Sequence, residues 1–328
     1  MLFNELIGFK NNCGVRAALE NISYYPYHMH SSILEVVCVL GGKYEISVDA
    51  HDHMISYGDV YFFNARNSHK LKKADDNCIL LTVHIDLNHY REFFKNFDGS
   101  GSYDITDDYF VCDSFRHKSD YSCCFKYLRF LLAKIYTEYS SDSCSEQVLE
   151  TLAKEFITHI LSHYRNYIYA RLDSGKYVLV QNVEGTIPDT DRIQRIIDYI
   201  YYHFSEKIML EDLAAMEHLH PNYLSAYIKK TLGLGFTELV SITRCENAEI
   251  LLGNTVKSLD DIALEVGFSN RTHLTNQFKK WFSKTPARYR REIAADFSGD
   301  STMQFDTFDY NLAVSILNSY LKGRSSRG

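Results

Sequence analysis

The stretch VGFSNRTHLTNQFKKWFSKTPARYRR, from Val266 to Arg291, holds seven Lys or Arg residues and no Asp or Glu, in a chain whose formal charge is −7. Positive charge gathered in one segment of an acidic chain points to a polyanion, because cations that neutralise phosphates supply most of the affinity for a nucleic acid. Lys280, Lys284, Arg288, Arg290 and Arg291 suit that task, as does Lys230 further upstream. Around them, Asn270, Arg271, Thr272, Thr275, Asn276 and Lys279 offer the donors and acceptors that read base edges in a major groove. The asymmetry is regional. Residues 191–295 carry 14 basic and 13 acidic side chains, whereas the other 223 residues carry 21 and 29.

Such side chains must be held on one face of a helix, and an internal repeat shows how. PNYLSAYIKK ends at Lys230 and RTHLTNQFKK ends at Lys280, a shift of 50 residues. Leu224 matches Leu274, Ile228 matches Phe278, and upstream Leu213-Ala214 matches Ile262-Ala263. Each copy reads as a short helix, a tight turn and a second short helix, the helix-turn-helix pattern. Ala214 and Ala263 are small where a second helix crosses close above. Gly267 supplies a turn at positive φ, Ser269 is placed to cap the helix after it, and Pro221 suits a first helical turn. The i, i+4 pairs Leu224/Ile228 and Leu274/Phe278 face a core. This leaves Asn222, Tyr223, Ser225, Ala226, Lys229 and Lys230 on the outer face of the first copy. The spacer FTELVSITRCENAEILL reads as a long helix between the copies.

The remaining sequence has a different texture. With 328 residues and 45% hydrophobic content the chain can bury the cores of two domains. From about Asn21 to Asp86 short β-branched and aromatic runs are broken by turns at Gly41-Gly42, Tyr57-Gly58-Asp59 and Asn64 to Asn67, the pattern of a small barrel or sandwich. After about Ser119 the period changes to that of helices. One stripe is Cys124, Tyr127, Leu128, Leu131, Leu132 and Ile135, and a second is Val148, Leu152, Phe156, Ile160 and Leu161. These helices either cover the barrel or pair with a second copy. Residues 171–190 read as a linker with a stray strand at Tyr177–Val180. The absence of an 18-residue apolar run and of a signal-peptide pattern leads us to expect a cytoplasmic protein. Eight scattered cysteines are then expected as reduced thiols.

Residues 192–292 resemble the DNA-binding domain of AraC/XylS-type transcription regulators, above all in SLDDIALEVGFSNRTHLTNQFKKWFSKTPARYRRE. There Ala263, Gly267-Phe268, Leu274, Phe278-Lys279, Phe282, Pro286 and Tyr289-Arg290 fall in place. The resemblance implies seven helices in two helix-turn-helix units joined by a long helix, each unit entering the major groove of double-stranded DNA. Ala226 stands where relatives often carry a longer polar reader, which shifts specificity toward Arg271, Thr272, Thr275 and Asn276.

A second resemblance covers the front. YHMHSSILEVVCVLGG and GDVYFFNARNSH are similar to the two motifs of the cupin barrel, and fill its His, His, Glu and His positions with His28, His30, Glu35 and His69. Three imidazoles and a carboxylate suit Mn, Fe, Ni or Zn. Cupin sensors of this regulator family commonly keep these residues without a metal, and Asn64 and Arg66 replace the usual Pro and Gly of the second motif. The expectation is therefore a small-molecule pocket lined by His28, His30, Glu35, Arg66 and His69. It takes a carbohydrate by resemblance, with no cofactor and no catalysis. A metal, if held, would use His28, His30, Glu35 and His69.

Together these readings give an α+β two-domain chain, with an N-terminal cupin-like β-barrel plus two helices and a C-terminal all-α domain with two helix-turn-helix units. The expected divisions are 1–115 for the effector-sensing barrel, 116–170 for a helical dimerisation segment, 171–190 for the linker, 191–295 for the DNA-binding domain and 296–328 for a tail without assigned role. The expected activity is effector-gated regulation of transcription by a homodimer, more often activation, with RNA polymerase as a further partner and no membrane. The alternatives are a metal-binding cupin, sensor or enzyme, fused to a DNA-binding domain, or a regulator without a small-molecule ligand.

Overall fold

Val, Ile and aromatic residues dominate the strands of the first half, and the order in which they pair decides which of their faces meet. The computed structural model describes residues 3–4, 7–9, 12–48, 51–112, 123–165, 167–171, 177–181, 190–298 and 303–322. The chain divides into two compact units, one built from Phe3–Val48, Asp52–Arg165 and Gly299–Gly328, the other mainly from Asn166–Ser298.

In the first unit the strands are β1 (Phe3–Asn4), β2 (Val15–Glu20), β3 (Ile22–Met29), β4 (Ile33–Gly41), β5 (Lys43–Val48), β6 (His51–Ser56), β7 (Val60–Phe63), β8 (His69–Lys73) and β9 (Ile79–Asp86). One sheet runs β1-β3-β8-β5-β6 and the other β2-β9-β4-β7. They face each other as the halves of a jelly roll, with Val37, Val39, Phe63 and Leu80 of the second sheet packed on Ile46, Val48 and Leu71 of the first. The opposite face of the second sheet presents Val15, Ala17, Leu34, Val36, Cys38, Val83 and Ile85 to a layer of helices. A strand covered on both sides needs no polar alternation, so ILEVVCVL in β4 is buried throughout.

That helical layer comprises α1 (Leu87–Phe94), α2 (Cys123–Tyr139) and α3 (Glu146–His163). Both expected stripes exist, with a shifted phase. In α2, Phe125, Ala133 and Tyr136 join Leu128, Leu131, Leu132 and Ile135 in the core, while Cys124 and Tyr127 are half-buried. In α3 the buried line is Leu149, Ala153, Phe156, Ile157, Ile160 and Leu161, and Val148 is exposed. Each helix meets the sheet and its neighbour together, so the buried arc is wider than one heptad seam and centred one residue later.

The second unit opens with a hairpin, β10 (Tyr167–Arg171) paired antiparallel with β11 (Tyr177–Gln181). The stray strand thus has a partner, taken from residues expected to be helical. The rest of the expected linker lies outside the described residues. Seven helices follow among the described residues: α4 (Thr190–His203), α5 (Leu210–Met216), α6 (Pro221–Leu232), α7 (Phe236–Asn254), α8 (Leu259–Glu265), α9 (Arg271–Phe282) and α10 (Pro286–Ser298). α5–α6 and α8–α9 are the two repeats. Leu213, Ala214, Leu224 and Ile228 are buried in one, and Ile262, Ala263, Leu274 and Phe278 in the other.

The repeats match in backbone detail. Their turns place His218 at φ 54° and Gly267 at φ 86°, and their second helices end at Gly233 with φ 76° and Ser283 with φ 57°. Pro221 occupies the first turn of α6. The cap of α9 is Asn270, whose Oδ1 accepts from the His273 N–H at 2.8 Å, one residue after the Ser269 the sequence suggested.

After α10 the chain returns to the first unit. β12 (Gln304–Phe305) pairs antiparallel with β3 opposite Tyr24 and Ile22. Asn21 fastens it, accepting from the Asp306 N–H at 2.8 Å and donating to the Thr307 carbonyl at 2.9 Å. α11 (Tyr310–Lys322) then inserts Ala313 and Leu317 into the core shared with α2. The Arg129 guanidinium lies between the rings of Phe125 and Tyr320, 5.0 and 4.7 Å from their centroids. The tail without assigned role is therefore part of the first unit's core. Among the described residues no helix is long and apolar enough to cross a membrane.

Candidate metal centre and nucleic-acid surface

Strand register brings the first candidate site together. On one sheet β3 and β8 place His28 opposite His69, and on the other β4 and β9 place Glu35 opposite His84. The inner faces of the two sheets meet at the Glu35 carboxylate. Its Oε2 lies 3.0 Å from His69 Nε2, 3.1 Å from His30 Nε2, 3.6 Å from His84 Nε2 and 3.7 Å from His28 Nε2. All five side chains are buried. The ligand atoms of His28, His30, Glu35 and His69 lie within 4.8 Å of one another, a few tenths of an ångström wider than donors around one ion at bond lengths of about 2.0–2.2 Å.

Proton bookkeeping bears on what belongs there. His28 Nδ1 stands 2.8 Å from the Pro26 carbonyl and His69 Nδ1 stands 3.1 Å from the Asn67 carbonyl. A carbonyl only accepts, so each ring carries its proton on Nδ1 and turns a bare Nε2 toward the carboxylate. Only a doubly protonated ring could donate both ways. Burial, reinforced for His28 by the neighbouring His69, opposes that: it lowers His28 to about 4 and also lowers His69. Glu35 nevertheless stays ionised. Burial pushes its carboxyl up, but the surrounding imidazoles, His84 foremost, hold it well below the usual range. The lone pairs of His28 and His69 therefore face the carboxylate in a sealed interior, while His30 Nε2, 3.1 Å from Oε2, can donate to it. Glu35 Oε1 and His28 Nε2 find no hydrogen-bond partner among the described residues. Buried acceptors without a donor are costly. A divalent cation is the group that satisfies all of them, and imidazoles whose far N–H is held by a carbonyl are the usual form of metal ligands.

The loop that presents His69 is braced despite its unusual residues. Asn64 is buried and clamps the Phe110 backbone, donating to its carbonyl at 2.9 Å and accepting from its N–H at 2.7 Å. Arg66 itself adopts the left-handed conformation expected of a glycine, at φ 69°. His69 then stacks on Phe63 with centroids 4.0 Å apart. Arg66 does not line the site. Its side chain is 48% exposed and pairs with Asp107 at 2.5 Å. His84, which belongs to no motif in the sequence, stands beside the carboxylate. Only the register of β9 against β4 shows this.

The second site is the outer surface of α6 and α9. Asn222, Tyr223, Ala226, Lys229 and Lys230 of α6 are exposed and Ser225 is half-buried. On α9, Arg271, Thr272, Asn276, Lys279 and Lys280 are exposed, Thr275 is half-buried, and Asn270 is exposed while capping the helix. The basic run is less bare than its composition suggests, since acids from outside it fold against it. Lys280 pairs with Glu238 of α7 at 3.0 Å, and Lys284 and Arg288 pair with Glu292 of α10 at 3.0 and 2.8 Å. Arg290 corrects the expected set. It donates to the Leu252 carbonyl at 3.3 Å and the Lys257 carbonyl at 2.8 Å, bracing the end of α7. Arg271, Lys279 and Arg291 make no ion pair among the described residues, and are the cations of the run with charge to spare.

Comparison with known proteins finds both kinds of domain. A family model described as a helix-turn-helix domain matches residues 213–292, and one described as a cupin domain matches residues 22–84. An uncharacterized HTH-type transcriptional regulator of Staphylococcus aureus (strain COL) is 24% identical over 285 residues, 87% of this chain and 35% of that protein. The regulatory protein PocR of Salmonella typhimurium is 28% identical over 142 residues, 43% of this chain and 47% of that one. Among solved structures, ToxT from Vibrio cholerae aligns with a TM-score of 0.43 and 12% identity, over 85% of this chain and 98% of that one. The chain thus matches a cupin domain followed by a helix-turn-helix domain, the latter built of two units, and is similar to HTH-type transcriptional regulators. It spans about a third of the length of the Staphylococcus relatives it matches.

Proposed function

We propose that this chain regulates transcription in response to a divalent transition metal held by His28, His30, Glu35 and His69, reading DNA through α6 and α9. The observation that carries the proposal is the pair of neutral imidazoles, His28 and His69, whose Nδ1 protons are committed to backbone carbonyls and whose lone pairs aim at an ionised, buried carboxylate. A bound ion would supply the positive charge that these donors share, tying one sheet to the other. A carbohydrate, the effector class expected from the sequence, loses its candidate anchor now that Arg66 faces solvent.

Signal transfer is then a population shift, in which the ion favours the arrangement of the first unit that holds its ligands together. The chain leaves that unit at Arg165 and rejoins it at Gly299, so both ends of the DNA-binding unit are continuous with it. Action as a homodimer and activation through RNA polymerase belong to the same proposal. The apolar stripes of α2 and α3 are spent inside the unit, which leaves a dimer contact in this segment to the outer face of α3 with Thr151, Glu155, Thr158 and Ser162.

The test is thermal unfolding of the metal-free full chain with Mn(II), Co(II), Ni(II), Zn(II) and a panel of sugars. A ligand at about 100 times its dissociation constant adds roughly 2.7 kcal/mol. A shift with metal that vanishes in Glu35→Gln supports the proposal. A shift with a sugar alone overturns the metal reading and restores the earlier expectation.

A further inference from the structure

His84 is a fourth imidazole, its Nε2 3.6 Å from Glu35 Oε2; like His28 and His69 it turns Nε2 to the carboxylate, but a different partner stands at its Nδ1. That partner is Arg16, on the edge strand β2 directly opposite His84 in register. Arg16 Nη1 lies 3.2 Å from His84 Nδ1. A guanidinium has five donors and no acceptor, so Nδ1 must be the accepting nitrogen and the ring proton must sit on Nε2, on the side of the carboxylate. Arg16 is itself held in place. Glu20 accepts from its Nη2 at 2.9 Å, and the second oxygen of Glu20 accepts from the Thr82 hydroxyl at 2.8 Å.

We infer that Arg16 is a positioning residue for the metal centre: by fixing the tautomer of His84 it holds a proton on Nε2, 3.6 Å from Glu35 Oε2 and without a hydrogen-bond partner among the described residues, and so turns a polar N–H toward the carboxylate and keeps this histidine from being a ligand. The inference rests on the metal reading proposed above and deepens it. His28 and His69 present lone pairs because carbonyls take their Nδ1 protons, whereas His84 presents a proton because a cation occupies its Nδ1. One buried pocket thus distinguishes its imidazoles by the partner behind each ring. The Nε2 of His84 and the Oε1 of Glu35 are both without a hydrogen-bond partner among the described residues. Arg16, with a side chain 30% exposed, reaches the centre from the open edge of its sheet. Groups of this kind, one step behind the ligands, typically change metal affinity 10–100-fold when removed.

The experiment uses the full chain loaded with Co(II), read by its visible absorption and by competition with a chelator. Arg16→Met should weaken Co(II) binding by about 10–100-fold and alter the absorption bands. Arg16→Lys, which also only donates, should retain both. His84→Gln should retain them too, since its amide can accept from Arg16 and donate to Glu35, whereas His84→Phe should reproduce Arg16→Met. The double variant Arg16→Met/His84→Phe should cost no more than either change alone, because Arg16 acts through His84. Melting of the metal-free forms checks folding, and the Lys and Gln variants decide the matter if the Phe variant does not fold. Unchanged affinity and bands in Arg16→Met, or additive effects of the two changes, would overturn the inference while leaving the metal centre standing. A wild-type chain that takes up no Co(II) would remove the metal reading and this inference with it.

Discussion

The equivalent turn positions of the two repeats, Gly267 and His218, should respond to substitution with opposite sign. Gly267 sits at φ +86°, and a Cβ added there would lie 2.8 Å from the Ser205 carbonyl oxygen and 2.9 Å from that of Phe204. Those carbonyls end α4, and Arg244 secures them by donating to Phe204 at 2.7 Å and Glu206 at 2.8 Å, so they cannot easily retreat. Gly267→Ala gains about 0.4–1 kcal/mol by restricting the unfolded chain. It loses about 1–2 kcal/mol to the left-handed backbone, and the carbonyl clash adds about 1–3 kcal/mol, as overpacking does elsewhere. The net is a destabilisation of about 2–4 kcal/mol. His218 is exposed and already bears the left-handed strain at φ 54°. His218→Gly removes that strain and adds unfolded-state freedom, leaving a change within about 1 kcal/mol of zero. The sole tryptophan, Trp281, is fully buried on α9 and reports this unit directly. Thermal melts of the full chain followed by Trp281 fluorescence should show a fall on the order of 10 °C for Gly267→Ala and little change for His218→Gly. An unchanged melting temperature in Gly267→Ala would refute the account of this turn.

Three further outcomes follow from the same geometry. Lys279→Ala should weaken binding to all DNA sequences and reduce the slope of log affinity against log salt by about 0.9; Arg290→Ala should leave that slope unchanged and lower the Trp281 melting temperature, since it loses carbonyl hydrogen bonds worth about 1–3 kcal/mol. For the metal-free chain, His28 is lowered to about 4, so between about pH 6.5 and 4 the unfolded chain takes a proton that the folded chain refuses. Stability is full above that window and declines as pH falls through it by up to about 1.4 kcal/mol per unit, a decline that melts in chelator should record and that His28→Gln should flatten. A stop after Thr302 should lower the stability of the first unit by about 3 kcal/mol or more through loss of the buried Leu317 and its neighbours, seen as reduced hydrogen-exchange protection in α2 with α9 unaffected.

Much of the DNA-binding unit was legible in the chain, because its information is local. The i, i+4 pairs, small residues at crossings and turn positions lie within some 25 residues of one another, and the repeat presents them twice. Reading the charge was less complete. The run from Val266 to Arg291 contains no acid, yet Glu238 and Glu292 fold against it, and Arg290 turns inward to carbonyls. Glu292 directly follows the run and pairs within α10, but Glu238 arrives from α7, and a count of charges along the run has no access to such a partner.

The cupin half divides along the same line. Sequence alone brought His28, His30, Glu35 and His69 together through the cupin resemblance and indicated two helix-turn-helix units after a strand-rich half. The expected change to helices near residue 120 came late, since α1 already begins at Leu87. Tertiary structure alone decided that His84 faces Glu35, that Arg16 stands behind it, that Arg66 turns to solvent, and that residues 303–322 complete the first unit's core. Each of these depends on strand register or on packing between segments far apart in the chain. A one-residue slip in register would send His84 to the opposite face of its sheet, and a period of two or of 3.6 records which face a residue occupies without recording what stands across from it.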